Sequence, residues 1–276
     1  MKALFSKKIL SQMALLTGIA IFFFGCQREL YGPVFSFGCK VVQWADLDSN
    51  GSATAIFDYK FDTTNGKVLL LKYTDIPGNT TQTVVPVFSK DTVYFNTGSW
   101  AVLDNSKRIY RLEERNAVNA SAPNGSYYYT YDASGHIASR TYDDGAVAQT
   151  TTYSFTGDEL TTANEPAMGS GNALTVSYTY SSTATVTDYN TYIIASRFPE
   201  LRLYMPCFSF GRFTNKALEK TAIKLNIPFL PIPEITTTYS SYQFDSKGYV
   251  TKVRLDNRLG TTPVSKSFLS AVYFCK

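Results

Sequence analysis

Histidine is almost missing from this chain: His136 is the single one in 276 residues. Hydrolases that work through an imidazole base need it beside the nucleophile and oriented by a third group. His136 instead follows the turn glycine Gly135 and stands opposite Asp132, a hairpin-tip position where solvation is the expected state. Charge is scarce too, at 17% of residues. The four cysteines form no CxxC pair and no Cys/His cluster, which removes zinc-site spacing. Gly169-Ser170-Gly171 lacks the strand, spacing and lysine of a phosphate-binding loop.

What the chain does have begins at its N-terminus. Lys2, Lys7 and Lys8 precede an apolar run from Met13 to Phe24, and Gly25 stands directly before Cys26. Charged start, short apolar core and small-residue site are the parts of a secretory signal. With a cysteine after the small residue, the segment resembles a bacterial lipoprotein signal, cleaved before Cys26 with lipid added to that thiol. A membrane-spanning helix needs about 20 predominantly apolar residues, and Ser11 and Gln12 interrupt the run before that length. One acyl chain anchors only marginally; the resemblance implies a diacylglyceryl group and usually an amide-linked palmitate-like chain as well. The expected order is a signal over 1–25, a tether over 26–34 and a single β-rich domain over 35–276.

Cleavage also changes the charge. Losing three lysines takes 26 Lys+Arg to 23 against 22 Asp+Glu, a net of +1. A near-neutral body lacks the clustered cations that nucleic-acid binding needs, so that partner is excluded. Residue 27 is glutamine; in lipoproteins of this kind, lacking aspartate there implies the outer membrane, with the facing side open and a slight lean to the periplasm. With Cys26 lipidated, Cys39, Cys207 and Cys275 are left. An oxidising compartment permits a disulfide, but spacing does not reveal which two would pair. The alternative is three small buried hydrophobes.

The body is written in Tyr, Phe, Thr, Ser and Val, residues that favour pleated, half-buried strands. Tyr59-Lys60-Phe61-Asp62 leads to Asn65-Gly66-Lys67-Val68, Tyr129-Thr130-Tyr131-Asp132 to Gly135-His136-Ile137, and Tyr242-Gln243-Phe244-Asp245 to Gly248-Tyr249-Val250. Looser copies are Val102-Leu103-Asp104 before Arg108-Ile109, and Tyr153-Ser154-Phe155 before Gly157. In Asp132-Ala133-Ser134-Gly135, aspartate suits the start of a type I turn and glycine supplies the left-handed residue after it. Together they predict a three-residue hairpin loop with a glycine bulge. That register sets Tyr131 against Ile137 and Phe244 against Val250, favourable aromatic–aliphatic pairs.

This repeat resembles the tyrosine-aspartate repeat of bacterial surface proteins. Its aspartates fall at 62, 104, 132 and 245, too irregular for a regular solenoid. The predicted fold is therefore all-β: an antiparallel sheet of successive hairpins, curled or barrel-like. One short α-helix is expected near 214–226, from apolar positions 218, 222 and 225 after a cap at Thr214 or Asn215. Pro228, Pro231 and Pro233 end it. Helix, proline connector and final hairpin together, over roughly residues 200–256, resemble lipoproteins of unknown function from Bacteroidota. That resemblance implies an envelope lipoprotein with a β-rich body and carries over no catalytic residues.

Two candidate sites remain. Asp46, Asp48 and Asn50 with Gly51 match the opening of a calcium loop, but Phe57 stands where its closing acid belongs; a polar hairpin turn is the competing reading. Trp44, Trp100 and Tyr128 could form a flat ligand platform, because Tyr127-Tyr128-Tyr129 must turn at least one ring to the face opposite its neighbours. The adjacent acids Glu113-Glu114, Asp143-Asp144 and Asp158-Glu159 point to opposite faces of a strand, and surface solvation is expected for them. The functional expectation is a non-enzymatic, lipid-anchored envelope protein that binds glycan or another envelope protein. The alternative is a carboxylate-dependent glycoside hydrolase, whose two acids can be remote in sequence.

Overall fold

A computed structural model describes residues 39–115, 125–166, 173–187, 197–226 and 232–275. The signal, Cys26 and the tether lie outside these residues. Alternating aromatic and hydroxyl residues, punctuated by Asp and Gly turns, give seventeen strands in one sheet. The first half holds β1 (Lys40–Leu47), β2 (Ala53–Phe61), β3 (Val68–Asp75), β4 (Thr80–Val84), β5 (Pro86–Phe88), β6 (Thr92–Phe95), β7 (Trp100–Leu103), β8 (Ile109–Glu114) and β9 (Gly125–Tyr131). The second holds β10 (Ile137–Asp143), β11 (Ala148–Thr156), β12 (Glu159–Glu165), β13 (Leu174–Thr185), β14 (Lys216–Leu225), β15 (Ile235–Phe244), β16 (Val250–Leu259) and β17 (Thr262–Phe274).

Each strand pairs antiparallel with its sequence neighbour, apart from one hand-over. There β4 pairs with β3 and β5 pairs with β6, the chain changing partner at Val85. The last strand returns to the first: β17 pairs with β1 from Lys40↔Phe274 to Leu47↔Phe268. Next to that seam, Cys39 and Cys275 form a disulfide, which leaves Cys207 as a buried free thiol. The sheet is thus a nearly closed, barrel-shaped ring.

The expected hairpin register is present. Ile137 pairs with Tyr131 and Val250 with Phe244. Gly135 and Gly248 hold φ of 88° and 84°, the left-handed conformation that only glycine adopts at little cost. At the equivalent position of the Asp104 turn, Lys107 takes φ 60°, and the Asp104 carboxylate accepts the N–H groups of Ser106 and Arg108 to hold the same loop.

The expected helix at 214–226 is a strand instead. β14 pairs with β13 over most of its length and with β15 from Lys220 to Ile223. Helix propensity differs among ordinary residues by only a fraction of a kcal/mol each. Two open strand edges offer this segment a ladder on both sides, and that outweighs the preference. Among the described residues the helical structure is a 3-10 turn at Met205–Cys207.

Burial alternates along the strands, and its inward set is aromatic and aliphatic. Phe57, Tyr59, Tyr127, Tyr129, Leu112 and Ile137 are at most 5% exposed. They face a segment of the chain itself. The segment of residues 197–215, between β13 and β14, enters the interior, where Phe198, Leu201, Tyr204 and Phe208 are almost wholly buried, and comes back to the surface at Arg212. Contacts from this plug reach around the ring. Tyr59 on β2 donates to the Arg202 carbonyl, Tyr129 on β9 donates to Glu200 at 2.9 Å, and the Tyr204 ring packs at a tilt against Phe95 of β6. Ser209 exchanges backbone hydrogen bonds with Lys107 and Ile109 beside β8.

The outward set is polar between β9 and β14 and mixed elsewhere, where Leu69, Val87, Val264, Val272 and Phe274 are exposed. Between β9 and β14 it consists largely of hydroxyl and amide residues that bond across strands, as in Thr130–Ser139, Thr141–Thr150 and Thr175–Asn164. Membrane-spanning barrels carry the opposite arrangement, an apolar band outside and polar groups within.

Candidate functional site

The outward rows of β6 to β9 break this hydroxyl pattern. Trp100 pairs with Tyr94 on one side and Glu113 on the other, and Arg111 pairs with Tyr128. Strand periodicity brings all of these onto one face. The Arg111 guanidinium lies 4.9 Å from the Trp100 ring centre and 5.1 Å from that of Tyr128. Tyr94, about half exposed, extends the patch.

Glu113 fixes the arginine. Arg111 Nε donates to its carboxylate at 2.8 Å, Ser126 Oγ donates at 2.7 Å, and Arg115 adds an ion pair at 3.2 Å. The Glu113 side chain is 3% exposed, so it is covered by the groups it binds. The result is a pre-ordered cation between two aromatic faces. Such rings offer apolar faces with polar edges, a surface suited to stacking a flat polyhydroxylated ring.

The Trp100 and Tyr128 rings thus flank one guanidinium, and Trp44 does not join them. Trp44 faces inward at 2% exposure, with its indole N–H donating to Asp46 and the Arg202 guanidinium 5.6 Å from its ring. The same contacts take apart the calcium-loop arrangement. The Asp46 carboxylate is engaged by Arg202 inside the ring. Asp48 instead accepts the backbone N–H groups of Asn50 and Ser52 in the β1–β2 turn. Asp46, Asp48 and Asn50 are not gathered around a common point, and among the described residues no group of three or more His, Cys, Asp or Glu side chains is placed to hold a metal.

Surface solvation fails for Glu113 and Glu114, each 2% exposed. Their side chains do diverge as strand neighbours must. Glu114 points inward and accepts from Ser99 and from the plug residue Tyr204. The sequence reading missed Arg111; its position two residues before Glu113 is the signal that could have found it, since i and i+2 share a strand face.

His136 is not solvated either. It is 5% exposed and stacks on Phe155 with ring centres 4.5 Å apart. Nδ1 lies 3.1 Å from Asp132 and Nε2 lies 2.8 Å from Asp158, which also binds Arg212 of the plug. A neutral imidazole has one N–H to donate, so two carboxylates call for the imidazolium. Burial works against the charge, but the hydrogen bonds the imidazolium donates to Asp158 and Asp132 outweigh it and raise the His136 pKa. Both carboxylates are shifted downward in turn, Asp158 chiefly through the His136 hydrogen bond.

A raised histidine pKa contributes stability in full below the unfolded value of about 6.5, lost as pH rises through the folded value. The lowered carboxylates act in the other direction, their contribution being lost as pH falls below about 4. Urea midpoints are expected to be highest in mild acid and to decline from about pH 6.5 upward. His136→Gln should flatten that decline. An identical pH profile in the variant would show that this cluster does not titrate with folding.

No protein-family model matches this chain, and no curated protein matches it. Solved structures do share its architecture. A porin-like protein from Bacteroides uniformis is 13% identical with a TM-score of 0.58, over 88% of this chain and 99% of that one. A porin-like protein from Bacteroides vulgatus is also 13% identical with a TM-score of 0.55, over 85% and 98%. The likeness is one of fold. It places the chain among nearly closed, barrel-shaped antiparallel sheets of about this size.

Proposed function

We propose that this chain is a lipid-anchored protein of a bacterial outer membrane, of the Bacteroidota type, that binds glycan without catalysis on the Trp100–Arg111–Tyr128 platform. The carrying observation is the platform itself: two aromatic faces fixed by a stacked guanidinium on the outside of a ring whose interior is already filled. The anchored location is supported by the Lys2-to-Cys26 signal pattern. The Cys39–Cys275 disulfide supports export, because such bonds persist in oxidising compartments.

The name of the structural neighbours raises a second idea, a pore. The outward hydroxyls and the plug from Arg197 to Asn215 argue against it here, since a lipid-facing wall must be apolar. Nor do the buried acids favour the glycoside hydrolase. Glu113 is bound by arginines, Glu114 by Tyr204 and Ser99, and Glu200 by Arg140 and Tyr129.

The test has two arms. In cells, Cys26→Ser should release the protein from the outer-membrane fraction; unchanged retention with an unprocessed N-terminus would defeat the anchoring. In solution, polysaccharide fragments found by array are titrated against the protein. Trp100→Ala and Tyr128→Ala should each weaken the best ligand by about tenfold. Affinities unchanged in both variants would move the site elsewhere.

A further inference from the structure

Cations are distributed unevenly over the outer wall. Strands β9 to β13 carry a single basic residue, Arg140, and it points inward to Glu200. On the other side of the ring, β16 presents Lys252, Arg254 and Arg258, and β17 presents Lys266. Facing them is Asp256, whose carboxylate is held by Arg254 at 2.7 Å, and β17 contains no acid at all.

Apolar groups are interleaved with these cations. The outward positions of β17 from Lys266 onward are Phe268, Ser270, Val272 and Phe274, the even-numbered set opposite the buried Leu269 and Ala271. Val272 is 51% and Phe274 47% exposed. The Lys252 and Lys266 ammonium groups lie 4.6 and 5.0 Å from the Phe268 ring centre. Both ammonium groups thus sit against one ring by cation–π attraction, which holds two cations side by side on the outer wall. On the same side of the ring, a polar cleft of about 450 Å³ is lined by Lys220, Arg258, Thr236 and Thr238 and also by the acids Glu234 and Asp256. Its own charge is therefore balanced, and the excess of cations lies on β16 and β17.

The tether enters at this wall. Cys39 immediately precedes Lys40, which pairs with Phe274 at the end of β17. Twelve residues separate Cys26 from Cys39, which at full extension reach roughly 45 Å. The thirteen residues of β17 span about the same length. Every part of the wall is therefore within reach of a membrane holding Cys26.

We infer that the outer wall of β16 and β17 rests on anionic phospholipid. Headgroup phosphates meet Lys252, Lys266 and Arg258, and Phe268, Val272 and Phe274 enter the interface between them. The geometric part of this inference rests on the lipid-anchored reading; the charge pattern does not. It leaves the Trp100–Tyr128 platform on a different part of the ring, free for its ligand.

The chain from Gln27 onward contains all seventeen described strands and the disulfide, and its cooperative thermal unfolding is checked before use. That protein is sedimented with phosphatidylglycerol vesicles and with phosphatidylcholine vesicles. Binding to the first and not the second is expected, weakening as salt screens the charges. Each cation near an anionic bilayer is worth about a fivefold factor, so Lys252→Glu/Lys266→Glu should lose at least about twentyfold. Thr141→Glu/Thr150→Glu on the opposite wall should leave binding unchanged, and thermal midpoints of both variants establish that they fold. Equal binding to both vesicle types, no binding to either, or full binding by the lysine variant would overturn the inference. Mass spectrometry of the cellular N-terminus separates the two readings: an unacylated Cys26 with vesicle preference intact sinks the anchor alone.

Discussion

Replacing Cys39 and Cys275 together with serine is expected to lower stability by about 3–5 kcal/mol and the melting midpoint by roughly 10 °C. The bond spans 236 residues, and the loop entropy it removes from the unfolded chain grows with the logarithm of that number. It also sits at the one place where this meander closes on itself. Without it, the β1–β17 ladder is held by its backbone pairs and the core packing of Val41, Trp44, Leu269 and Ala271, and two open strand edges are exposed whenever the seam frays. Urea unfolding with and without reductant measures the effect, with the double serine variant as the non-reducible reference. The buried Cys207 thiol, pushed upward in pKa by desolvation, should resist alkylation until the ring opens. Coincident midpoints for oxidised and reduced protein would mean that the seam does not limit stability.

The hairpins were legible because their information is local. Asp, two small or polar residues and Gly at fixed offsets specify both the turn and its register, and Tyr131↔Ile137 and Phe244↔Val250 follow from them. Closure was not legible. The partners of the seam, Lys40 and Phe274, are separated by nearly the whole chain, and neither strand carries a mark naming the other. Residues 214–226 show the same limit from another side. Their spacing of 218, 222 and 225 suits one helix face, while as a strand the segment sets Lys220 and Lys224 outward. Only the waiting edges of β13 and β15 decide between the two.

Site residues divide along similar lines. Alternation within Tyr127-Tyr128-Tyr129 correctly turns Tyr128 outward, and Trp100 joins it because β8 lies between their strands. Trp44 belongs to the interior for a reason outside its own strand: the plug brings Arg202 to its ring and to Asp46. His136 is buried for a comparable reason, since Asp158 reaches it from the β11–β12 turn and Arg212 from the plug. A chain segment that returns to fill its own barrel converts expected surface positions into core ones.

Glu200→Ala, within the plug, should be the most damaging single substitution, costing about 3–5 kcal/mol. Glu200 is 3% exposed, accepts from Tyr129 at 2.9 Å and faces the Arg140 guanidinium at 3.5 Å. Burial opposes the Arg140 charge, and the Glu200 carboxylate more than offsets this, raising the arginine's pKa. Removing the carboxylate leaves a buried cation beside Phe198 without its counter-charge. Burial and the adjacent Glu200 hold the Tyr129 pKa well above its usual value, so the phenol stays neutral and cannot supply the missing charge. Glu200→Gln keeps the shape and one acceptor and should cost less. Adding Arg140→Met to Glu200→Ala removes the stranded charge and should recover part of the loss, since an apolar pair of similar volume often replaces a buried ion pair with little penalty. Denaturant midpoints of the two single variants and the double variant form a closed cycle. Strictly additive losses would show that the plug is held by its aromatic packing and not by this pair.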